Sequence, residues 1–350
     1  MNTIKNIPCY KLMLFLVLTL TWSSAFSQTI VLRLFEDAEV LMDKGKYKDA
    51  IKKYDSITLH QPTNPKLYYN RASAFIYLQN YGKAIVDLNK SISLDSSYYD
   101  AYFNRAYVHS FMNNDAFAIG DYDIYLNKFP NDAEALIARG KLLMEQDEFD
   151  LAIKDFTNYC SQDKSNDEVY AALYFAYLAK KDTMTALKYL DSAIALRPLK
   201  STYSKIKADI YFDKGQYNIA CKYYDKAIAA NRGEINFYIS KAEAKAASGL
   251  YNDAAYTIKK AISYKPSSPE LHYDLAFYLF SSKRYQEALE EGKKAENLKY
   301  KDQKNLFEII AVCHNNLGNA KEACKYFQKA INKGSKEAQN WYLNQGCADE

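Results

Sequence analysis

From Val31 onward the apolar positions recur at spacings of three and four, which predicts helices that each bury one stripe. In Gly215-Gln-Tyr217-Asn-Ile-Ala220 the glycine ends one helix, and Tyr217 and Ala220 open the stripe of the next. Tyr224, Ala227 and Ile228 continue that stripe. Gly45-Lys-Tyr47 with Ala50, Tyr54 and Ile57 repeats the phrase, as do Tyr81 with Ala84, Phe149 with Ala152, Tyr251 with Ala254 and Tyr285 with Ala288. The small residue falls at Ala50, Ala84, Ala118, Ala152, Ala186, Ala220, Ala254 and Ala288, each 34 positions after the last, and then at Ala323 after 35. A fixed period of this length predicts stacked repeats rather than separate globular domains.

Each repeat reads as two antiparallel helices. In the second, helix A carries Tyr68, Arg71, Ala72 and Phe75, and helix B carries Tyr81, Ala84, Leu88 and Ser91. Tyr102, Arg105, Ala106 and His109 follow in the third, and Leu136, Arg139, Gly140 and Leu143 in the fourth. Pro62, Pro65, Pro130, Pro198, Pro266 and Pro269 all fall at junctions, where a residue that cannot continue a helix interior does no harm.

The small–aromatic–small order at Gly215, Tyr217, Ala220, Tyr224 and Ala227 resembles the tetratricopeptide repeat. The resemblance covers nearly all the chain after Val31 and implies an all-α fold. The expected form is a right-handed α-solenoid (superhelix) of tandem antiparallel helix pairs. Nine repeats are expected, at 31–64, 65–98, 99–132, 133–166, 167–200, 201–234, 235–268, 269–302 and 304–337. Residues 338–350 then supply a capping helix (about Glu337 to Leu343, with Trp341 and Tyr342 covering the last face) and a tail. Some repeats depart from the pattern. Asp115 and Thr183 stand where a turn aromatic belongs. Gly292 replaces a large apolar residue of helix B, and an extra residue lies between Lys299 and Lys304. These two predict lost packing and a discontinuity between repeats eight and nine.

In this family the inner faces of the A helices line a concave groove for peptides or partner helices. The resemblance places Tyr69, Asn70, Ser73, Tyr77, Phe103, Asn104, Tyr107, Phe111, Lys141, Phe175, Tyr273, Phe277 and Phe280 on that face. Aromatics gather in repeats two and three and again in repeat eight, where exposed rings are candidate anchors. Asn70 and Asn104 are candidates to bond a peptide backbone. Most other tyrosines sit at packing positions. The family's clamp for a C-terminal carboxylate is not matched: its positions read Leu32, Glu36, Asn70, Asp100 and Asn104, and only Asn70 fits.

The first residues stand outside the array. Lys5 and Lys11 precede an apolar run from Leu12 to Trp22, and small residues surround Ser27, which predicts a signal peptide over 1–27 and a mature start at Gln28. A membrane anchor is the alternative, although the run is short for a span. Cys9 precedes the run, which argues against a lipoprotein. Export places the protein in the periplasm or outside the cell.

Composition narrows the function further. The 350 residues include 33 tyrosines but only 11 glycines and 7 prolines, leaving little room for flexible linkers. Net charge is +4, near +2 once Lys5 and Lys11 are removed, with no basic run, so neither nucleic acid nor a polybasic membrane contact is expected. No phosphate loop, nucleophile elbow or metal-ligand spacing occurs. The four histidines and pairs such as Glu290-Glu291 read as packing and solvated positions. No catalytic residue, cofactor or metal is therefore expected. Cys160, Cys221, Cys313, Cys324 and Cys347 are an odd set, with Cys324–Cys347 a possible disulfide. The expected function is a non-catalytic scaffold or adaptor that binds a peptide or protein. A regulatory subunit of an envelope enzyme or secretion complex, and a carbohydrate-binding module, are the alternatives.

Overall fold

The computed structural model describes residues 28–344 and 347; the expected signal peptide, 1–27, lies outside them. Nineteen helices and no strand occur among the described residues. The A helices are α1 (28–43), α3 (Pro65–Tyr77), α5 (Tyr99–Phe111), α7 (Ala133–Glu145), α9 (Asp167–Ala179), α11 (Ser201–Asp213), α13 (Ile235–Ala247), α15 (Pro269–Ser281) and α17 (Gln303–Asn316). Each is followed by its B helix: α2 (Tyr47–Thr58), α4 (Tyr81–Leu94), α6 (Asp115–Lys128), α8 (Phe149–Gln162), α10 (Thr183–Leu196), α12 (Tyr217–Ala230), α14 (Tyr251–Tyr264), α16 (Tyr285–Asn297) and α18 (Ala320–Asn332). A short α19 (Lys336–Asn344) ends the series. The chain divides into two compact units, one ending at Ala186 and the other beginning at Leu187.

Local chemistry fixes where these helices start. Asn64 accepts a hydrogen bond from Lys66 N with Pro65 in the first turn, and Ser268 caps α15 with Pro269 in the same place. Asp132 and Asn166 cap α7 and α9. The turn from A to B enters the left-handed region once per repeat, at Gly45, Gln79, Asn113, Asp147, Lys181, Gly215, Gly249, Lys283 and Gly318. There the two bonds of a Schellman turn close the A helix, for instance Gly215 N to Phe212 O and Gln216 N to Tyr211 O, both 2.8 Å. Five of the nine positions adopt this strained conformation without glycine.

Two small columns let the helices approach. Ala50, Ala84, Ala118, Ala152, Ala186, Ala220, Ala254 and Ala288 on the B helices are fully buried, as are Ala72, Ala106, Ala208, Ala242 and Ala276 on the A helices. Large side chains fill the space beside them: Tyr54, Leu88, Tyr122, Phe156, Leu190, Tyr224, Ile258 and Phe327. Where the A column has Gly140, an added Cβ comes within 2.6 Å of the Phe156 ring.

Two expectations need correction. Gly292 does not leave packing unfilled: Ile310 Cγ1 lies 3.0 Å from where its Cβ would stand, with Leu306 beside it, so α17 supplies the missing bulk. The extra residue is absorbed after α16, where Lys299 turns left-handed and Tyr300 then stacks on Tyr273 at 4.3 Å. Glu291 is also not a solvated residue. It is largely buried, 2.6 Å from His272 Nδ1 and 2.8 Å from Lys294 Nζ. His272 Nε2 meets the Pro266 carbonyl at 2.9 Å, a contact that Tyr68 and Tyr238 make with their hydroxyls at the same repeat position.

Cys324 on α18 and Cys347 form a disulfide with Cα atoms 5.5 Å apart. Cys160, Cys221 and Cys313 carry free thiols.

Two substitutions test this packing. Gly140→Ala forces a methyl group against the fully buried Phe156 and is expected to cost about 1–3 kcal/mol by urea unfolding. Lys283→Gly relieves a left-handed residue and is expected to add about 0.5–1 kcal/mol; a loss of stability would show that the turn carries no strain.

Candidate functional site

The A helices are held in place by a ladder of guanidinium clamps on the neighbouring B helices. Arg71 donates to both carboxylate oxygens of Asp87 at 2.7 Å, and its third nitrogen reaches Asp55 at 2.7 Å. Arg105 repeats this with Asp121 and Asn89, and Arg139 with Asp155 and Asp123. Each arginine spans the residues 16 before and 16 after it, joining two B helices through one A helix. In the second unit Lys207 and Lys241 make the backward contact, to Asp191 and Asp225, and Lys207 reaches forward to Tyr223 rather than to a carboxylate. The arginines were visible in the repeat; their carboxylate partners were not recognised, although Asp87, Asp121 and Asp155 share the period of 34. Bidentate, largely buried pairs of this kind are geometrically specific.

With those helices fixed, α3, α5 and α7 present two adjoining hollows. One of about 320 Å³ is lined by Tyr69, Ser73, Tyr77, Phe103, Asn104 and Tyr107, with Ile76 and Glu134. The other, about 540 Å³, shares Tyr107 and Glu134 and adds Phe111, Lys141, Ile137 and Glu145 among others. The residues expected in repeats two to four are thus largely brought together, but several are already engaged. Asn104 donates to Ser73 Oγ at 3.3 Å, and Ser73 donates to the Tyr69 carbonyl at 3.1 Å. Tyr77 lies flat on Tyr47 with ring centres 4.6 Å apart, and Phe111 stacks on Tyr81 at 5.7 Å. Phe103 meets Tyr122 edge-on. Burial pushes the Tyr69 hydroxyl above its usual range, with the charge of Asp100 adding to the shift. Asn70 sits apart, beside the hydroxyl of the buried Tyr54. Phe175 is on α9, edge-on to Tyr174 and outside both hollows. Glu134 and Ile137 were missed because neither is aromatic, though both lie on the inner face of an A helix.

In the second unit a further hollow of about 360 Å³ opens between α15, α17 and α19. Tyr273, Phe277 and Phe280 line it with Asn305, Glu308, Ile309, Val312, Glu337 and Trp341. The Trp341 ring lies parallel to the buried Phe327 at 6.2 Å. On the same helix as the three aromatics, burial, then the charges of Glu243 and Glu270, push the Asp274 carboxyl up to about 6. Burial, then neighbours including Tyr300, Asp302 and Glu308, push the Tyr273 hydroxyl up to about 12.

Tetratricopeptide-repeat profiles match residues 65–98, 206–234, 239–305 and 309–333. Together with helix pairs that repeat in register through both units, this decides the family. The chain belongs to the tetratricopeptide-repeat family. Serine/threonine-protein phosphatase T of Aspergillus oryzae is 36% identical to it over 110 residues, 31% of this chain and 22% of that protein. Human protein O-mannosyl-transferase TMTC3 is 27% identical over 171 residues, 48% of this chain and 19% of that protein. The repeat protein thus spans only about a fifth of the length of these relatives. Among solved structures, the C-terminal part of a TPR repeat-containing protein from Cytophaga hutchinsonii aligns with a TM-score of 0.58 and 18% identity. That alignment covers 69% of this chain and 99% of the other, a likeness of fold. Proteins of this family mediate protein–protein interaction.

Asp274 gives this repeat protein a titration with a defined sign. Its folded pKa of about 6 exceeds the unfolded value, so the folded chain holds the proton more tightly. Stability is therefore expected to fall as pH rises from about 4 through 6 and to stay lower above that. Asp274→Asn should be more stable than wild type at pH 7.5 by on the order of 1–2 kcal/mol, with the gap closing near pH 4. Urea melts at both pH values check this; an equal gap at both would place the effect elsewhere.

Proposed function

We propose that the chain is a non-catalytic scaffold of the cell envelope that holds an extended segment of a partner protein along α3, α5 and α7. The observation that carries this reading is the pair of adjoining hollows that meet at Tyr107 and Glu134. Tyr107 and Phe111 keep substantial exposed ring surface there, 36% and 55%, although they touch each other with ring centres 4.7 Å apart. Such rings bury large area at low entropic cost when a partner covers them. The Tyr69, Ser73 and Asn104 cluster supplies polar atoms along one wall, suited to a peptide backbone. Export is supported by the composition of residues 1–27 and by the Cys324–Cys347 disulfide, which an oxidising compartment preserves. Among the described residues no helix is long and apolar enough to cross a membrane.

A photo-crosslinking side chain at Tyr107 in living cells tests the groove, with one at exposed Lys222 on α12 as control. The expected outcome is a discrete adduct at Tyr107 that is absent at Lys222. Adding Phe103→Ala with Phe111→Ala should reduce it at least tenfold. The same adducts from both positions, or no change with the double substitution, would overturn the reading. Amino-terminal sequencing of the mature protein from envelope and culture fractions tests export, with Gln28 the expected first residue.

A further inference from the structure

The hollow at the end of the second unit carries two carboxylates, Glu308 and Glu337, where the smaller hollow of the first unit has only Glu134. Its walls combine exposed aromatic faces with carboxylates and contain no lysine, arginine or histidine. Phe277 and Trp341 are 41% and 43% exposed, so each offers a free ring face. Glu308 on α17 and Glu337 on α19 form no ion pair among the described residues. Glu243, Glu270 and Asp274 add carboxylates on α13 and α15, and burial, then the charges of Glu243 and Glu270, raises the Asp274 pKa. Elsewhere in the chain carboxylates are routinely paired, as along the arginine ladder. An unneutralised acidic hollow walled by rings is therefore complementary to a cation with a flat, weakly hydrated face.

We propose that this hollow receives an arginine side chain from an extended segment of a partner protein, with Glu308 and Glu337 as charge partners and Phe277 and Trp341 as stacking faces. Guanidinium fits better than ammonium. It is planar, it stacks on rings, and it can donate to two carboxylates at once. The position of α19 is part of the site, since it brings both Glu337 and Trp341. The disulfide joins Cys347 to Cys324 on α18. The inference rests on the reading of the chain as a peptide binder, but not on the groove of the first unit.

The test uses the full mature chain and three fluorescein-labelled heptapeptides, Gly-Ser-Phe-X-Phe-Ser-Gly, with arginine, lysine or neutral citrulline at X. Fluorescence anisotropy is expected to show the arginine peptide binding at least tenfold more tightly than the citrulline peptide, with lysine between them. That preference should shrink at high salt. It should disappear in Glu308→Gln with Glu337→Gln, and the arginine peptide should weaken several-fold in Trp341→Leu. Thermal melts matching wild type show that these variants still fold. Tyr107→Ala is expected to leave the preference intact, which separates this site from the first groove: loss of crosslinking at Tyr107 with the preference retained would sink only the earlier reading. Equal affinity for arginine and citrulline, preference for lysine, no measurable binding, or a preference that survives the double glutamine variant would overturn the proposal.

Discussion

Close approach of helices at small side chains is the constraint on which everything else in this chain depends. One helix pair has two faces and can bury only one of them internally, so each repeat is stable only against its neighbours. The alanines at Ala50, Ala84, Ala118 and their equivalents have no exposed surface, and neighbouring helices pack where no long side chain intervenes. The large residue one turn on, from Tyr54 through Phe156 to Phe327, fills the wedge that the approach leaves. Variation at these columns is compensated: Phe156 occupies the space of Gly140, and Ile310 that of Gly292. Total volume is conserved while its source moves from one helix to another.

Packing of this kind fixes distance but is permissive about rotation, and the clamps supply the missing specificity. A bidentate Arg–Asp pair across two helices has one good geometry, and Arg71, Arg105 and Arg139 each engage the B helix on either side. The second unit replaces the bidentate clamp with one-point contacts of Lys207 and Lys241 on Asp191 and Asp225, a looser arrangement because an ammonium is a point charge. The inner faces of the A helices lie outside the small-residue columns, so their side chains vary more from repeat to repeat. That freedom is where the two units diverge, one presenting rings with amide, hydroxyl, lysine and carboxylate groups, the other rings with carboxylates and no cationic side chain.

Helix content, the alternation of A and B helices and the period were legible in the sequence because each rests on local chemistry. Caps, prolines and apolar spacing act within a few residues. The left-handed turn was legible at Gly45 and Gly215, and Gly249 and Gly318 stand at the same position; Gln79, Asn113, Asp147, Lys181 and Lys283 reach the same conformation without glycine. The groove was partly legible. Tyr69, Phe103, Tyr107 and Phe111 do line the hollows, while Asn70 turns to Tyr54 and Phe175 stands aside. Glu308 and Glu337 escaped notice because an acidic residue on a helix surface looks like any solvated position until its neighbours are known.

The sequence alone determined the architecture, since a 34-residue rhythm of small and aromatic residues admits few other ways to bury its apolar faces. Only the tertiary structure decided which inner-face residues are already engaged and which remain open. Tyr77 is half spent on Tyr47 and Ser73 on Asn104, whereas Tyr107 and Glu308 keep surface facing a hollow. The reason is physical: helix formation is settled within a few residues, but the partner of a side chain is set by groups that stacking brings together from about one repeat away.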